Sequence, residues 1–190
     1  MVATKPQDPI AWVDFALESN PETSFFVMAP RPRYQNKSFD EFEEGWKTIH
    51  TAVHGISDAL RQDYPETTFF CIPHGRVLVE LWRRFDNGKL PEVSELKSLD
   101  NPSIFKDNTG HGGEVVMTTG TLLWLATIFK ADLAQYEWDP QTKTDLKALA
   151  RRSPKPIPIL HTRRPSSRAA PPGSRRLGSR VALIHCRTDT

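Results

Sequence analysis

The sequence predicts an α/β domain of the three-layer α/β/α type, built around a parallel sheet. Helical and strand patterns alternate along the first 150 residues, and the two clearest strands are continuous apolar runs, as in strands covered on both faces. The composition changes near residue 151, beyond which Arg, Pro and Ser dominate. We therefore predict a globular domain over residues 1–150 and a disordered basic tail over residues 151–190.

The predicted domain begins with a helix and a strand. The helix follows Asp8-Pro9 and carries Trp12, Phe15 and Ala16 at helical spacing. The strand, residues 23–28 (TSFFVM), ends in a proline-rich segment that cannot be helical.

The second helix is the clearest amphipathic element. Ser38 and Glu41 have the spacing of a capping box at its start, and Tyr64-Pro65 ends it. Steps of three and four residues place a single apolar stripe along it: Phe39, Phe42, Trp46, Ile49, Val53, Ile56 and Leu60. A second buried strand follows at residues 67–73 (TTFFCIP).

The remaining elements are less regular. A helix is predicted over residues 76–85, and a polar linker with one helical turn near residues 92–96 follows over residues 88–102. The last long helix, residues 114–130, is apolar nearly all round, so we expect it to be deeply buried. Residues 146–149 add a final helical turn. Two strands leave sheet edges unpaired, so the pattern resembles part of a larger domain and predicts self-association through an edge.

Charge divides the chain in the same place as composition. Residues 1–150 hold 15 basic and 22 acidic residues, whereas residues 151–190 hold ten basic residues and one acid. Such a tail can bind anionic partners. It has no aromatic residues between its arginines, which disfavours nucleic acid as a partner, and the alternative is a tail with no selected role.

The two cysteines, Cys71 and Cys186, form neither a disulfide framework nor a metal-ligand pattern, and no cofactor is predicted. No apolar run is long enough to span a membrane, and the first residues do not resemble a signal peptide. The sequence therefore predicts a soluble protein and leaves its compartment open.

The residues with the most chemical potential lie in a glycine-rich turn, residues 106–113. Asp107 and His111 are four residues apart, so the carboxylate can orient the imidazole for use as a general base. The alternative is that Asp107 only caps the turn and His111 is an exposed residue without a catalytic role.

Three other histidines have weaker patterns. His50 and His54 have the i, i+4 spacing of helical metal ligands, but no third ligand is evident, so a solvated helix flank is the better interpretation and no metal is predicted. His74 follows a strand, where α/β domains bind ligands, and is a candidate substrate-binding residue or an ordinary loop histidine.

The block IFKDNTGHGGEVVMTTGTLLWLATIF resembles the C-terminal catalytic block of the SGNH (GDSL-type) hydrolases, and TSFFVMAPRPR and TTFFCIPHG resemble the strands that precede it. The resemblance covers roughly residues 2–148. It implies a flavodoxin-like fold and hydrolysis of small-molecule or glycan carboxylic esters by a Ser-His-Asp triad. Carried over by position, Asp107 is the triad acid and His111 the base.

The chain departs from that family in three respects. Its acid and histidine are four residues apart instead of three, and it contains neither the G-D-S nucleophile motif nor Gly-x-Asn-Asp. No nucleophile is therefore predicted, and we expect an N-terminally truncated, weakly active or inactive hydrolase. The alternatives are a non-enzymatic partial domain whose cationic tail binds anionic partners, and an aberrant gene product.

Overall fold

The chain has a mixed α/β fold, which we describe from a computed structural model that covers residues 7–152 and 182–184. In chain order the elements are α1 (Gln7–Ser19), β1 (Phe25–Met28), α2 (Phe39–Asp63), β2 (Thr68–Cys71), α3 (His74–Asp86), β3 (Glu95–Lys97), β4 (Ser103–Phe105), α4 (Glu114–Ile128), α5 (Leu146–Arg152) and β5 (Ala182–Ile184). Apart from the end of α5 and β5, the tail predicted over residues 151–190 lies outside the described residues.

Two small parallel sheets organise these elements. β1 pairs with β2, Phe26 opposite Phe69, and the short β5 pairs with the other edge of β1. β3 and β4 form the second sheet. The parallel pairing predicted for the two apolar strands is confirmed. Continuous apolar strands are typical of parallel sheets, because such sheets are buried on both faces.

The two faces of β1 pack into different apolar clusters. Val27 belongs to a large cluster with residues of α2, α3 and α4, whereas Phe26 and Met28 pack with Val13 of α1 and Leu60 of α2. This alternation follows from the two-residue side-chain period of a strand. Helices therefore cover both faces of this strand.

The capping box predicted for α2 is confirmed. The Ser38 hydroxyl accepts a hydrogen bond from the Glu41 N–H, and the Glu41 carboxylate accepts one from the Ser38 N–H at 2.8 Å. Phe42, Trp46, Val53 and Leu60 of the predicted stripe are buried. Local capping and the apolar period thus agree on one long helix.

The linker predicted over residues 88–102 contains a strand where a helical turn was expected. Glu95–Lys97 pairs parallel with β4, and the Ser94 N–H donates to Pro102 O at 3.0 Å. The prediction was wrong because a three-residue strand is too short to show a period, and pairing with β4 decides its conformation.

Two predicted apolar surfaces also differ from the observed ones. Trp12 and Phe15 of α1 are 61% and 62% exposed, while Val13 is fully buried. Of the three residues predicted at helical spacing, only Ala16 packs against the cluster that contains Val13, so the two aromatic residues lie on a different face from the buried one. α4 is not buried all round, since Met117 is 58% exposed. This side of α4 forms a wall of the cleft described below. None of the described helices combines the length and apolarity required to cross a bilayer.

Candidate functional site

Three loops meet at one side of the fold and form the candidate site. Parallel pairing brings the carboxyl ends of β1 and β2 together, and the Gly75 N–H donates to Pro30 O at 3.1 Å between the two following segments. The third loop is the glycine-rich turn after β4. The Gln35 N–H donates to Asn108 O at 2.7 Å and joins that turn to the loop after β1.

The glycine-rich turn is closed like a hairpin. Phe105 and Gly112 form an antiparallel bridge, and the Lys106 N–H donates to His111 O at 2.7 Å. Gly110 has a φ of +87°, which favours glycine, and a Cβ there would lie 3.2 Å from Tyr34 N. These constraints fix the backbone on both sides of the histidine.

The Asp107 carboxylate interacts with both the backbone of this turn and the His111 imidazole. Its Oδ1 accepts hydrogen bonds from the N–H groups of Thr109 at 2.9 Å, Gly110 at 3.0 Å and His111 at 3.2 Å. Its Oδ2 contacts His111 Nδ1. The His111 side-chain hydrogen bond, followed by that from Thr109, lowers the pKa of the Asp107 carboxyl well below its usual range. The carboxylate therefore stays ionised and favours the tautomer with a proton on Nδ1, leaving Nε2 available as a base.

Thr109 is a further member of this group that the sequence analysis did not identify. Its hydroxyl lies 2.7 Å from Asp107 Oδ1 and 3.0 Å from His111 Nδ1. A hydroxyl-bearing residue midway between an acid and a histidine in a tight turn was the available signal. The Asp107–His111 pair, called the dyad below, is accessible to solvent: 65% of the His111 side chain and 43% of the Asp107 side chain are exposed.

A cleft of about 470 Å³ lies beside the dyad. It is lined by Ala29, Arg31, His74, Leu78, Gly110, His111, Gly112, Val116, Met117, Gly120, Thr121 and Trp124. The structure thus places two of the three sequence-predicted site residues, His74 and His111, in the walls of one cleft, and Asp107 directly behind His111. Arg31 is an additional polar residue that the sequence analysis did not single out.

His74 is packed against α4 on the inner side of this cleft. Gly120 makes room for it, because a Cβ at Gly120 would lie 2.3 Å from His74 Nε2. Burial, and secondarily the positive charge of Arg31, lowers the pKa of the His74 imidazole to about 4. At neutral pH the ring is therefore uncharged.

We expect this buried imidazole to make the protein sensitive to acid. Its folded-state pKa, about 4, lies below the usual value of 6.5, so stability is retained above pH 6.5 and is lost as the pH falls towards 4. The loss should be on the order of 2 to 3 kcal/mol. Urea unfolding of the wild type and His74→Gln across this pH range measures it. A stability difference that does not change with pH would contradict the prediction.

The structure brings His50 and His54 together on α2 but not into the cleft. Their Nε2 atoms are 3.1 Å apart. Burial, with the charges of His54 and Arg76, lowers the pKa of His50. Within residues 7–152 and 182–184, no cluster of three or more His, Cys, Asp or Glu side chains could hold a metal ion.

No serine is among the residues that line the cleft in the described part of the chain. Several serine hydroxyls have structural partners instead: Ser57 donates to Val53 O at 2.8 Å, Ser94 to Pro102 O at 3.1 Å and Ser103 to Ser98 O at 2.8 Å. The cleft does contain Thr121, whose hydroxyl donates to Met117 O at 2.9 Å within α4. That hydrogen bond engages its hydroxyl proton within the helix.

A second cleft, of about 500 Å³, lies between α2, α3 and α5. Four of its charged side chains are paired: Arg83 forms ion pairs with Glu43 at 2.6 Å and with Glu80 at 3.0 Å, and Lys47 lies 3.8 Å from Glu43. The acid–histidine pair is not part of it. The cleft beside His111 is consequently the better candidate for chemistry.

Comparison of the chain with models of protein families, with curated proteins and with solved structures gave no match.

Proposed function

We propose that the cleft beside His111 is the acid–base part of a carboxylic-ester hydrolase site on an SGNH-type, flavodoxin-like α/β/α domain. The observation that carries the proposal is the contact of Asp107 Oδ2 with His111 Nδ1 at the edge of a cleft. An imidazole that is oriented through Nδ1 and has a free Nε2 is the arrangement that general-base catalysis uses. The sequence resemblance to SGNH hydrolases and the two parallel apolar strands support the same proposal.

The proposed chemistry requires only one proton carrier. His111 Nε2 removes a proton from a hydroxyl group, whose oxygen then adds to the ester carbonyl carbon to form a tetrahedral intermediate. As the intermediate collapses, the carbon–alkoxide bond breaks and the imidazolium returns the proton to the departing alcohol. With water as the nucleophile, the products are one carboxylic acid and one alcohol.

We expect the rate to be low. The sequence contains no G-D-S motif, and His111 and Asp107 are both partly exposed. Loss of the nucleophile or of an oxyanion donor typically reduces the rate about 10²- to 10⁴-fold. Hydrolysis should therefore be detectable above the uncatalysed reaction but far below the turnover of an ordinary enzyme.

Hydrolysis of p-nitrophenyl acetate tests the proposal. We expect His111→Ala to reduce the protein-dependent rate at least about tenfold, because it removes the base. His54→Ala is the matched control, since it removes a histidine that lies outside the cleft, and it should change the rate less than about twofold. Equal rates for the wild type and His111→Ala, or equal losses in both variants, would contradict the proposal.

The Asp107→Asn variant distinguishes two roles of Asp107, orienting the imidazole of His111 and holding the backbone of the turn. The amide oxygen can still accept the three N–H groups now held by Oδ1, while the amide NH₂ replaces the acceptor that faces His111 Nδ1. The variant should therefore keep its melting temperature within a few degrees and lose a large part of the His111-dependent rate, because the wrong tautomer is favoured. An unchanged rate would show that Asp107 only supports the turn.

The alternative predicted from the sequence, a non-enzymatic domain that binds anionic partners through its tail, concerns residues outside the described part of the chain. It stays a prediction.

A further inference from the structure

Arg31 is the feature of the cleft that the proposed chemistry does not use. It is half-buried, lines the cleft, and donates a hydrogen bond from Nη1 to Gly110 O, one residue from His111. No carboxylate forms an ion pair with it in the described part of the chain. A guanidinium has five N–H donors, so most of its donor capacity is left for another acceptor.

The lining of the cleft combines polar and apolar side chains. Arg31, His74, His111 and Thr121 are polar, and neither Asp nor Glu is among the described residues that line the cleft. The larger apolar side chains are Leu78 of α3 and Val116, Met117 and Trp124 of α4. Burial lowers the pKa of His74 to about 4, so that ring is neutral near pH 7 and Arg31, not His74, carries the positive charge on this side of the cleft.

We propose that this cleft binds an apolar carboxylic acid, with its carboxylate on Arg31 and its hydrocarbon chain along the wall formed by α3 and α4. A half-buried cation without an acidic partner, in a cleft that is otherwise lined largely by apolar side chains, is complementary to such a ligand. This inference rests on the proposed hydrolase function. If the cleft hydrolyses esters, its substrate is an ester of an apolar carboxylic acid, and the carbonyl group of that ester lies near Arg31 and His111.

Binding of hexanoate and hexanamide by the full chain tests this inference without requiring turnover. Titration calorimetry at constant ionic strength should show that hexanoate binds at least about tenfold more tightly than hexanamide, because charge-assisted hydrogen bonds are stronger than neutral ones. Arg31→Gln should abolish most of that preference and leave hexanamide binding within about threefold. Equal affinities of the wild type for both ligands would overturn the proposal.

Two further variants separate the effect of the charge and geometry of Arg31 from a general attraction of anions to the protein. Arg31→Lys keeps the charge and should retain part of the preference for hexanoate, even though it loses the planar donor geometry. Arg76→Gln removes an exposed arginine of α3 outside this cleft and should change hexanoate affinity less than about twofold. A loss in Arg76→Gln as large as that in Arg31→Gln would show general attraction of anions to a basic protein and would overturn the proposal.

The binding assay and the hydrolysis assay test separate proposals, so either proposal can be contradicted while the other is supported. Arg31-dependent binding of hexanoate without His111-dependent hydrolysis would leave a carboxylate-binding cleft and contradict the hydrolase proposal. His111-dependent hydrolysis without a preference for hexanoate over hexanamide would support the hydrolase proposal and contradict the role of Arg31 as an anchor.

Discussion

Gly113→Ala should destabilise the fold by about 3 kcal/mol or more, because the added methyl group would collide with backbone that has no room to move. Gly113 precedes the first turn of α4, and an ideal Cβ there would lie 1.8 Å from Ser103 O and 2.9 Å from the Ser103 carbonyl carbon. Ser103 belongs to β4 and is buried. Relief of the collision therefore requires separating α4 from β4.

Urea unfolding followed by circular dichroism measures this effect. Gly55→Ala is the control, since Gly55 lies inside α2 and a Cβ there would meet nothing within 4 Å. That change should stabilise the protein by about 0.5 to 1 kcal/mol through helix propensity. A Gly113→Ala protein as stable as the wild type would show that the close approach of α4 to β4 is not maintained in solution.

The same substitution should also disturb the candidate site. The Gly113 N–H donates to Ile104 O at 2.8 Å, next to the Phe105–Gly112 bridge that closes the Asp107–His111 turn. A displaced Gly113 would pull on the turn at its C-terminal end. Stability and the orientation of the imidazole therefore depend on one shared contact between a strand and a helix.

The parts of the fold that the sequence could predict are those with local signals. The capping box at Ser38 and Glu41 satisfies the first turn of α2 by contacts three residues apart, and the apolar stripe continues over the length of the helix. β1 and β2 are short apolar runs bounded by turn residues. These signals are strong because they do not depend on distant parts of the chain.

The parts that could not be predicted depend on distant contacts. β3 exists because it pairs with β4, and the face of α1 that is buried is decided by the packing of Val13 with Phe26 and Met28. Large aromatic residues at Trp12 and Phe15 suggested the opposite face. Hydrophobicity at helical spacing predicts a helix but does not decide which of two apolar sides meets the sheet.

The candidate site shows the same division. The Asp107–His111 pair could be predicted from the sequence because both residues lie in one turn. Arg31 and Gly110 are joined by a hydrogen bond across 79 positions of sequence, and the contact of His74 with Gly120 joins two different helices. Only the folded chain brings these groups to one cleft, which is why Arg31 was not identified from the sequence.

Phe105→Ala should be the most destabilising of the side-chain truncations considered, with an expected loss of about 3 to 5 kcal/mol. Phe105 is fully buried in β4. Its ring stacks on Tyr34 with centroids 4.4 Å apart and meets Phe42 at 5.4 Å and Trp82 at 5.5 Å. Removal leaves a cavity whose aromatic walls come from three different segments, so the surroundings cannot easily collapse into it.

Phe15→Ala provides the matched control, because it deletes the same side chain at a position that is 62% exposed. It should change the free energy of unfolding by less than about 0.5 kcal/mol. Equal effects of the two substitutions would mean that the aromatic cluster around Phe105 is not formed in solution. Phe105 directly precedes the turn that holds Asp107, and its cluster includes Tyr34, next to the backbone of Gly110. Loss of the cluster would thus remove the support on which the orientation of the Asp107–His111 pair depends.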